Sequence, residues 1–144
     1  MQMMKTLRCF MLIGLLISMT SCASHRELDG NDMSCPDSPN CVSSLANDTE
    51  HFVEPLRFSD QPAAAMQRLK AVLLNEKRVK IVKEQTAYLH AEARSLIFRF
   101  VDDVEFTLLA EQGLIHVRSS SRVGHSDFGV NRRRIERIRQ LFQK

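Results

Sequence analysis

The chain is predicted to fold as a two-layer α+β sandwich, a four-stranded antiparallel sheet with two helices packed on one face. Three observations predict it: an apolar stripe at helical spacing over 61–75, four runs between Val79 and Ser120 in which apolar and polar residues alternate, and a second helical stripe from about Arg132 to Phe142. Strands grouped between two helices, rather than alternating with them, give a layered α+β architecture.

The N-terminus reads as an export signal and is set aside before the fold is considered. Lys5 and Arg8 form a short positive leader, and Cys9 to Met19 is almost wholly apolar. That run is about half of the roughly 20 residues a membrane-spanning helix needs. Met19-Thr20-Ser21-Cys22 follows. It resembles the lipobox of bacterial lipoproteins, with Met19 where Leu is usual. The resemblance implies cleavage before Cys22, lipidation of Cys22, and attachment to a membrane by the lipid. Ala23 and Ser24 stand where an Asp would favour retention in the inner membrane, so the expected location is the outer membrane, facing the periplasm. Residues 1–21 are thus the expected signal peptide; the other readings of this segment are an ordinary secretory signal cut near Ala23 and an uncleaved anchor.

Residues 22–52 are expected to hold the lipidated Cys22, a flexible acidic tether of roughly 25 residues and a Cys35–Cys41 loop. The segment is rich in Ser, Asp, Asn and Pro and lacks apolar periodicity. Pro36 and Pro39 turn the chain between Cys35 and Cys41. In an oxidising compartment this even pair reads as a disulfide. A metal reading would need more ligands, and His25 and His51 lack suitable spacing.

Residues 53–144 form the expected globular α+β domain. Ser59 or Asp60 can cap the first helix, Pro62 suits its first turn, and Ala65, Leu69, Val72 and Leu73 line one face. In the strands, Val79 and Ile81 come first, then Leu89, Ala91 and Ala93, then Val104, Phe106 and Leu108, then Ile115, Val117 and Ser119, each alternating with polar neighbours. Period two puts one face in the core and leaves the other wet, with His90 and His116 on the wet side. Glu84-Gln85-Thr86 and Glu111-Gln112-Gly113 are short enough for hairpins. Ser95 to Asp102 carries Leu96, Ile97, Phe98 and Phe100, and is either a strand extension or an apolar loop that must pack on something. Asn131 can cap the last helix, whose stripe is Ile135, Ile138, Leu141 and Phe142.

Charge is unevenly placed. Residues 22–61 carry eight acids and two bases, whereas 62–144 carry sixteen bases and nine acids. An acidic leader precedes a basic domain. The last helix opens on Arg132, Arg133 and Arg134, at the end where the helix dipole disfavours cations. Together with Arg118, Arg122 and Asn131, these residues form a candidate site for an anion or a partner. Two other readings stand beside it. Arg118 pairs across strands with Asp103 or Glu105 while Asp127 neutralises Arg132 or Arg133; or Asp102, Asp103, Glu105 and the arginines form the acid–base cleft of a hydrolase-like enzyme. His125, Ser126 and Asp127 are adjacent in sequence and do not make a triad, whose members must converge in space. No Gly-x-Ser-x-Gly elbow, phosphate-binding glycine loop, Cys-x-x-Cys or His-Glu-x-x-His motif occurs. No cofactor or metal is called for.

Three segments resemble signature stretches of the bacterial domain of unknown function family 1499: Cys35 to Ser44, Phe98 to Phe106, and Ile115 to Arg134. The resemblance spans about residues 33–143. It implies that many members are lipoproteins or membrane-attached, and it supplies no activity or catalytic residue. His125 stands where that family often has Tyr. The functional expectation is therefore an exported envelope lipoprotein, leaning non-enzymatic, that binds through a basic surface. Its partners would be the membrane through its lipid, and anionic lipid, cell-wall polymer or an envelope protein. Export argues against nucleic acid, despite the basic helix.

Overall fold

The computed structural model describes residues 32–144, so the expected signal peptide and the expected lipid site Cys22 lie outside the described residues. The fold is α+β, with two helices and an open antiparallel sheet of six strands, two more than expected. In chain order the elements are β1 (Cys41–Ser43), β2 (Leu56–Arg57), α1 (Pro62–Asn75), β3 (Val79–Gln85), β4 (Tyr88–Arg94), β5 (Val101–Leu109), β6 (Leu114–Ser121) and α2 (Val130–Phe142). The sheet runs β1-β6-β5-β4-β3, and β2 also pairs with β6. β1 and β2 share one edge of β6: Val42 lies opposite Ser119, and Leu56 opposite Ile115. Strands of three and two residues are too short to show a period of two, so residue spacing does not reveal them.

Both helices pack on one face of the sheet. Leu69 and Leu73 of α1 and Ile135, Ile138 and Phe142 of α2 meet Leu89, Ala91, Val104, Phe106, Ile115 and Val117, all buried. Ala91 and Ala93 keep the sheet shallow beneath the helices. Phe106, opposite both Leu89 and Val117, fills the centre of the layer. Removing such a ring typically costs about 3–5 kcal/mol.

The ends of the helices differ in detail from expectation. Gln61 occupies the cap position of α1 without a side-chain cap bond, and Pro62 fills the first turn as expected. Asp60 instead grips Arg68 through two hydrogen bonds, at 2.6 and 3.1 Å. α2 starts two residues earlier than expected, after Gly129 at φ 75°. Its cap is Asp127, whose carboxylate accepts the Gly129 and Asn131 N–H groups. An acid there answers the positive helix end that the three arginines aggravate.

Residues 33–44 are built into the domain, although the composition of this stretch suggested a flexible tether. Met33 is buried, and Thr107 on β5 directs its hydroxyl at the Met33 sulfur. Ser38 accepts a bond from His51 through its carbonyl, and Ser121 N–H donates to Asn40. Cys35 and Cys41 form a disulfide, so the turn that precedes β1 is covalently closed. The segment lacks periodicity because it runs across the sheet instead of along it.

By loop-closure entropy a ring this small contributes about 2 kcal/mol. Cys35→Ser should lower the unfolding free energy by that amount in urea titrations. Dithiothreitol should reproduce the loss in the parent and add nothing in the variant. Equal midpoints for oxidised and reduced parent would refute the role given to the bond.

Candidate functional site

The face of the sheet without helices is also largely closed to solvent. Antiparallel register places Tyr88, His90 and Glu92 of β4, Asp103, Glu105 and Thr107 of β5, and His116, Arg118 and Ser120 of β6 on it. His90 and His116 are therefore not the exposed strand residues that alternation suggested. His90 is buried, and the His116 ring meets the Ser44 hydroxyl at 2.9 Å. Burial lowers the pKa of His116.

Two ionic groups occupy this face. In the first, Glu105 is fully buried and Arg118 is 7% exposed. Arg118 Nη1 donates to Glu105 Oε2 at 2.9 Å, Tyr88 donates its hydroxyl to Oε1 at 2.8 Å, and Arg118 Nε donates to the Ser34 carbonyl at 2.8 Å. In the second, Arg122 grips Asp103 through two bonds of 2.9 and 2.8 Å and reaches Glu92 at 2.7 Å. His90 Nε2 lies 2.7 Å from Asp103 Oδ1. Burial pushes the Asp103 pKa up, but the bonds from His90 and Arg122 outweigh it and hold the carboxyl at about 2. Arg122 in turn is raised, chiefly by its bond to Asp103. Glu92 is lowered, chiefly by Arg122.

The other predicted residues stand on the helix-covered side. Asn131 does not cap α2. It is fully buried in the first turn, donating to the Asn40 carbonyl and Ser121 Oγ and accepting from Ser119 Oγ and Arg134 Nη1. All four of its hydrogen-bonding positions are thus used. Arg134 Nη2 pairs with Asp102 at 2.5 Å. Arg132 donates to the carbonyls of Phe52 and Glu50, and Arg133 to that of Phe128. The five arginines expected around one anion are divided between two faces of the sheet, and each is engaged within the chain. The alternative cleft is divided in the same way, since Asp102 faces α2 while Asp103 and Glu105 face away from it. His125 is exposed, Ser126 accepts the Phe128 N–H, and Asp127 serves the helix end, so these three do not converge.

Among the described residues no group of three or more His, Cys, Asp or Glu side chains is placed to hold a metal ion. Among the same described residues, no buried side-chain polar atom lacks a partner. A groove of about 870 Å³ opens between the start of α1 and the β3–β4 turn, lined by Pro62, Met66, Lys70, Glu84, Leu89 and Leu108. None of the predicted site residues among those described lines it.

Sequence reasoning found the Arg118 pairing as one option but missed Tyr88, His90, Glu92 and the Ser34 carbonyl. The signal that could have found them is charge matching by register. Arg118 opposite Glu105, and Glu92 opposite Asp103 one step from Arg122, follow once the hairpins are aligned.

Two outcomes check this geometry. Glu105→Ala strands a buried guanidinium and should cost about 3–5 kcal/mol, whereas Glu105→Leu with Arg118→Met should recover most of that loss in urea titrations. For Asp103, the unfolded carboxyl takes up its proton near 3.8 and the folded one near 2. The stabilisation is complete above the unfolded value and is lost as pH falls from about 4 to about 2, amounting to about 1–2 kcal/mol. Asp103→Asn should be less stable at pH 7 and lose less between pH 4 and pH 2.

Comparison with known proteins adds one finding. No curated protein matches the chain. The family model described as "Protein of unknown function (DUF1499)" matches residues 33–142, from the first buried residue of the covering segment to the last buried residue of α2. With most of its length matched, the chain belongs to the DUF1499 family.

Proposed function

We propose that the protein is an exported, lipid-anchored module of the cell envelope that acts by binding rather than by catalysis, tied through Cys22 to the outer membrane on its periplasmic side. The disulfide carries the reading. Cys35 and Cys41 are joined within the fold, and such bonds persist in exported proteins and are rare in reducing cytosol. The signal-like leader and the lipobox-like Met19-Thr20-Ser21-Cys22 point the same way.

Binding is favoured over catalysis by the state of the ionic groups. A general acid, base or nucleophile must present a free reacting atom to substrate. Here Asp102, Asp103 and Glu105 are each held by an arginine, and Asp103 is held deprotonated by two partners. A loose anion would have to displace these internal partners from Arg118, Arg122 and Arg134. The ionic groups therefore serve the fold, and a binding surface lies elsewhere on the domain.

The anchor is tested by the mass of the native N-terminal peptide. It should begin at Cys22 and carry diacylglyceryl and acyl masses, and Cys22→Ser should shift the protein from the membrane to the soluble periplasmic fraction. A native N-terminus at Met1, or an unacylated one at Ala23, would refute the reading.

A further inference from the structure

Two loops meet at the end of the sheet where β5 begins and β6 finishes, because Asp102 lies opposite Ser121. Residues 95–100 connect β4 to β5, and residues 122–129 connect β6 to α2. The Arg122 N–H donates to the Val101 carbonyl, which ties the loops together at their roots. Both loops present large apolar side chains to solvent. Leu96, Ile97, Phe98 and Phe100 are 70, 78, 73 and 51% exposed, and Val123 and Phe128 are 55 and 88% exposed. Val130, which follows the second loop at the start of α2, is 41% exposed. Single exposed apolar residues are ordinary, but so many on two adjoining loops mark a contact surface.

The loops are shaped rather than slack. Ser95 N–H donates to the Phe100 carbonyl and Phe100 N–H to the Ser95 hydroxyl, closing the first loop, and the Phe98 and Phe100 rings stack at 5.5 Å. Arg99 and Phe128 have φ of 55° and 54°, a conformation side-chain-bearing residues rarely adopt. Their strain is held while the rings remain in water. Arg99 has no hydrogen-bond or ion-pair partner among the described residues, and Arg133 is engaged only by the Phe128 carbonyl. The nearby acids, Glu92 and Asp127, are committed to Arg122 and to the helix end. The patch is thus apolar and aromatic, with two uncompensated cations.

The geometry points to a bilayer with anionic headgroups as the occupant of this two-loop end. Phe and aliphatic side chains enter the headgroup–acyl boundary while guanidiniums bind lipid phosphates. Charge complementarity favours it, and so does chain length. The ten residues from Cys22 to Asn31 extend to about 35 Å at most, so an acylated Cys22 would keep the domain within reach of the surface. The inference rests on the proposed anchor only for that nearness.

The test is flotation with vesicles of phosphatidylcholine alone or mixed with phosphatidylglycerol. It uses the chain from residue 22 to 144 carrying Cys22→Ser, with its disulfide intact. The parent should float with the mixed vesicles. Phe98→Ser with Phe128→Asn should weaken partitioning on the order of tenfold or more, and Arg99→Gln should reduce it about fivefold on anionic vesicles only. Leu74→Ser, which removes an exposed apolar residue of α1, should change nothing. Unchanged melting temperatures confirm that each variant is folded. Failure of the parent to float, or equal flotation of the double variant, overturns the proposal. So does a concentration-dependent dimer that the double variant abolishes, since a second copy would then be the occupant. Because this chain carries no lipid, these results are independent of whether Cys22 is acylated in the cell.

Discussion

A carboxylate and a guanidinium buried together on the helix-free face of the sheet constrain the rest of this fold. Glu105 and Arg118 face each other across β5 and β6 with almost no access to water. Removing both charges from solvent costs several kcal/mol per ion, which their attraction offsets only when the remaining hydrogen-bonding positions are filled. Tyr88 supplies one partner from β4. The other is the Ser34 carbonyl, which comes from outside the sheet. The covering segment must therefore be held in place, and the disulfide, the Asn40 contacts and the burial of Met33 all hold it. A sheet of ordinary amphipathic pattern thus acquires a polar core on one side and an apolar core on the other.

Asn131 and Arg134 do on the helix-covered side what Ser34 does on the opposite side. They join α2 to β5, to β6 and to the residue before β1 by hydrogen bonds that leave none of Asn131's capacity unused. Arg132 and Arg139 extend the same helix to the carbonyls of Glu50, Phe52 and Pro55. The arginine-rich helix is basic in sequence, yet many of its charges tie down irregular chain that has no ladder of its own. Such backbone needs partners wherever it leaves solvent.

How much of this could be read from sequence depended on whether the feature was periodic. Both helices and four of the strands announced themselves through spacing, and Cys35 and Cys41 through an even pair in a turn-forming context. β1 and β2 were invisible because two or three residues carry no period, and the covering segment because its contacts are made by backbone carbonyls, which every residue has. Asn131 reads as a cap because Asn at a helix start usually is one. Asp127, four residues earlier, was closer to the free N–H groups once the helix began at Val130. His90 and His116 looked wet because alternation assigns faces but cannot say what covers them. The arginine cluster was legible as an anomaly of charge placement, but its resolution was not, since the acids and carbonyls that answer it lie far away in sequence.

The closed turn between Cys35 and Cys41 also matters mechanically. Tension along the segment before residue 33 would first peel Met33 and Ser34 from the sheet, withdrawing the carbonyl from Arg118 and wetting the ion pair. The peel would then meet the covalent bond at Cys35, which bypasses the residues in between and delivers the load directly to Cys41, at the start of β1. Beyond that point the pull acts on a strand laddered to β6, not on loose chain. The disulfide thus separates a short portion that yields to force first from the bypassed residues 36–40, which the covalent bond shields from it.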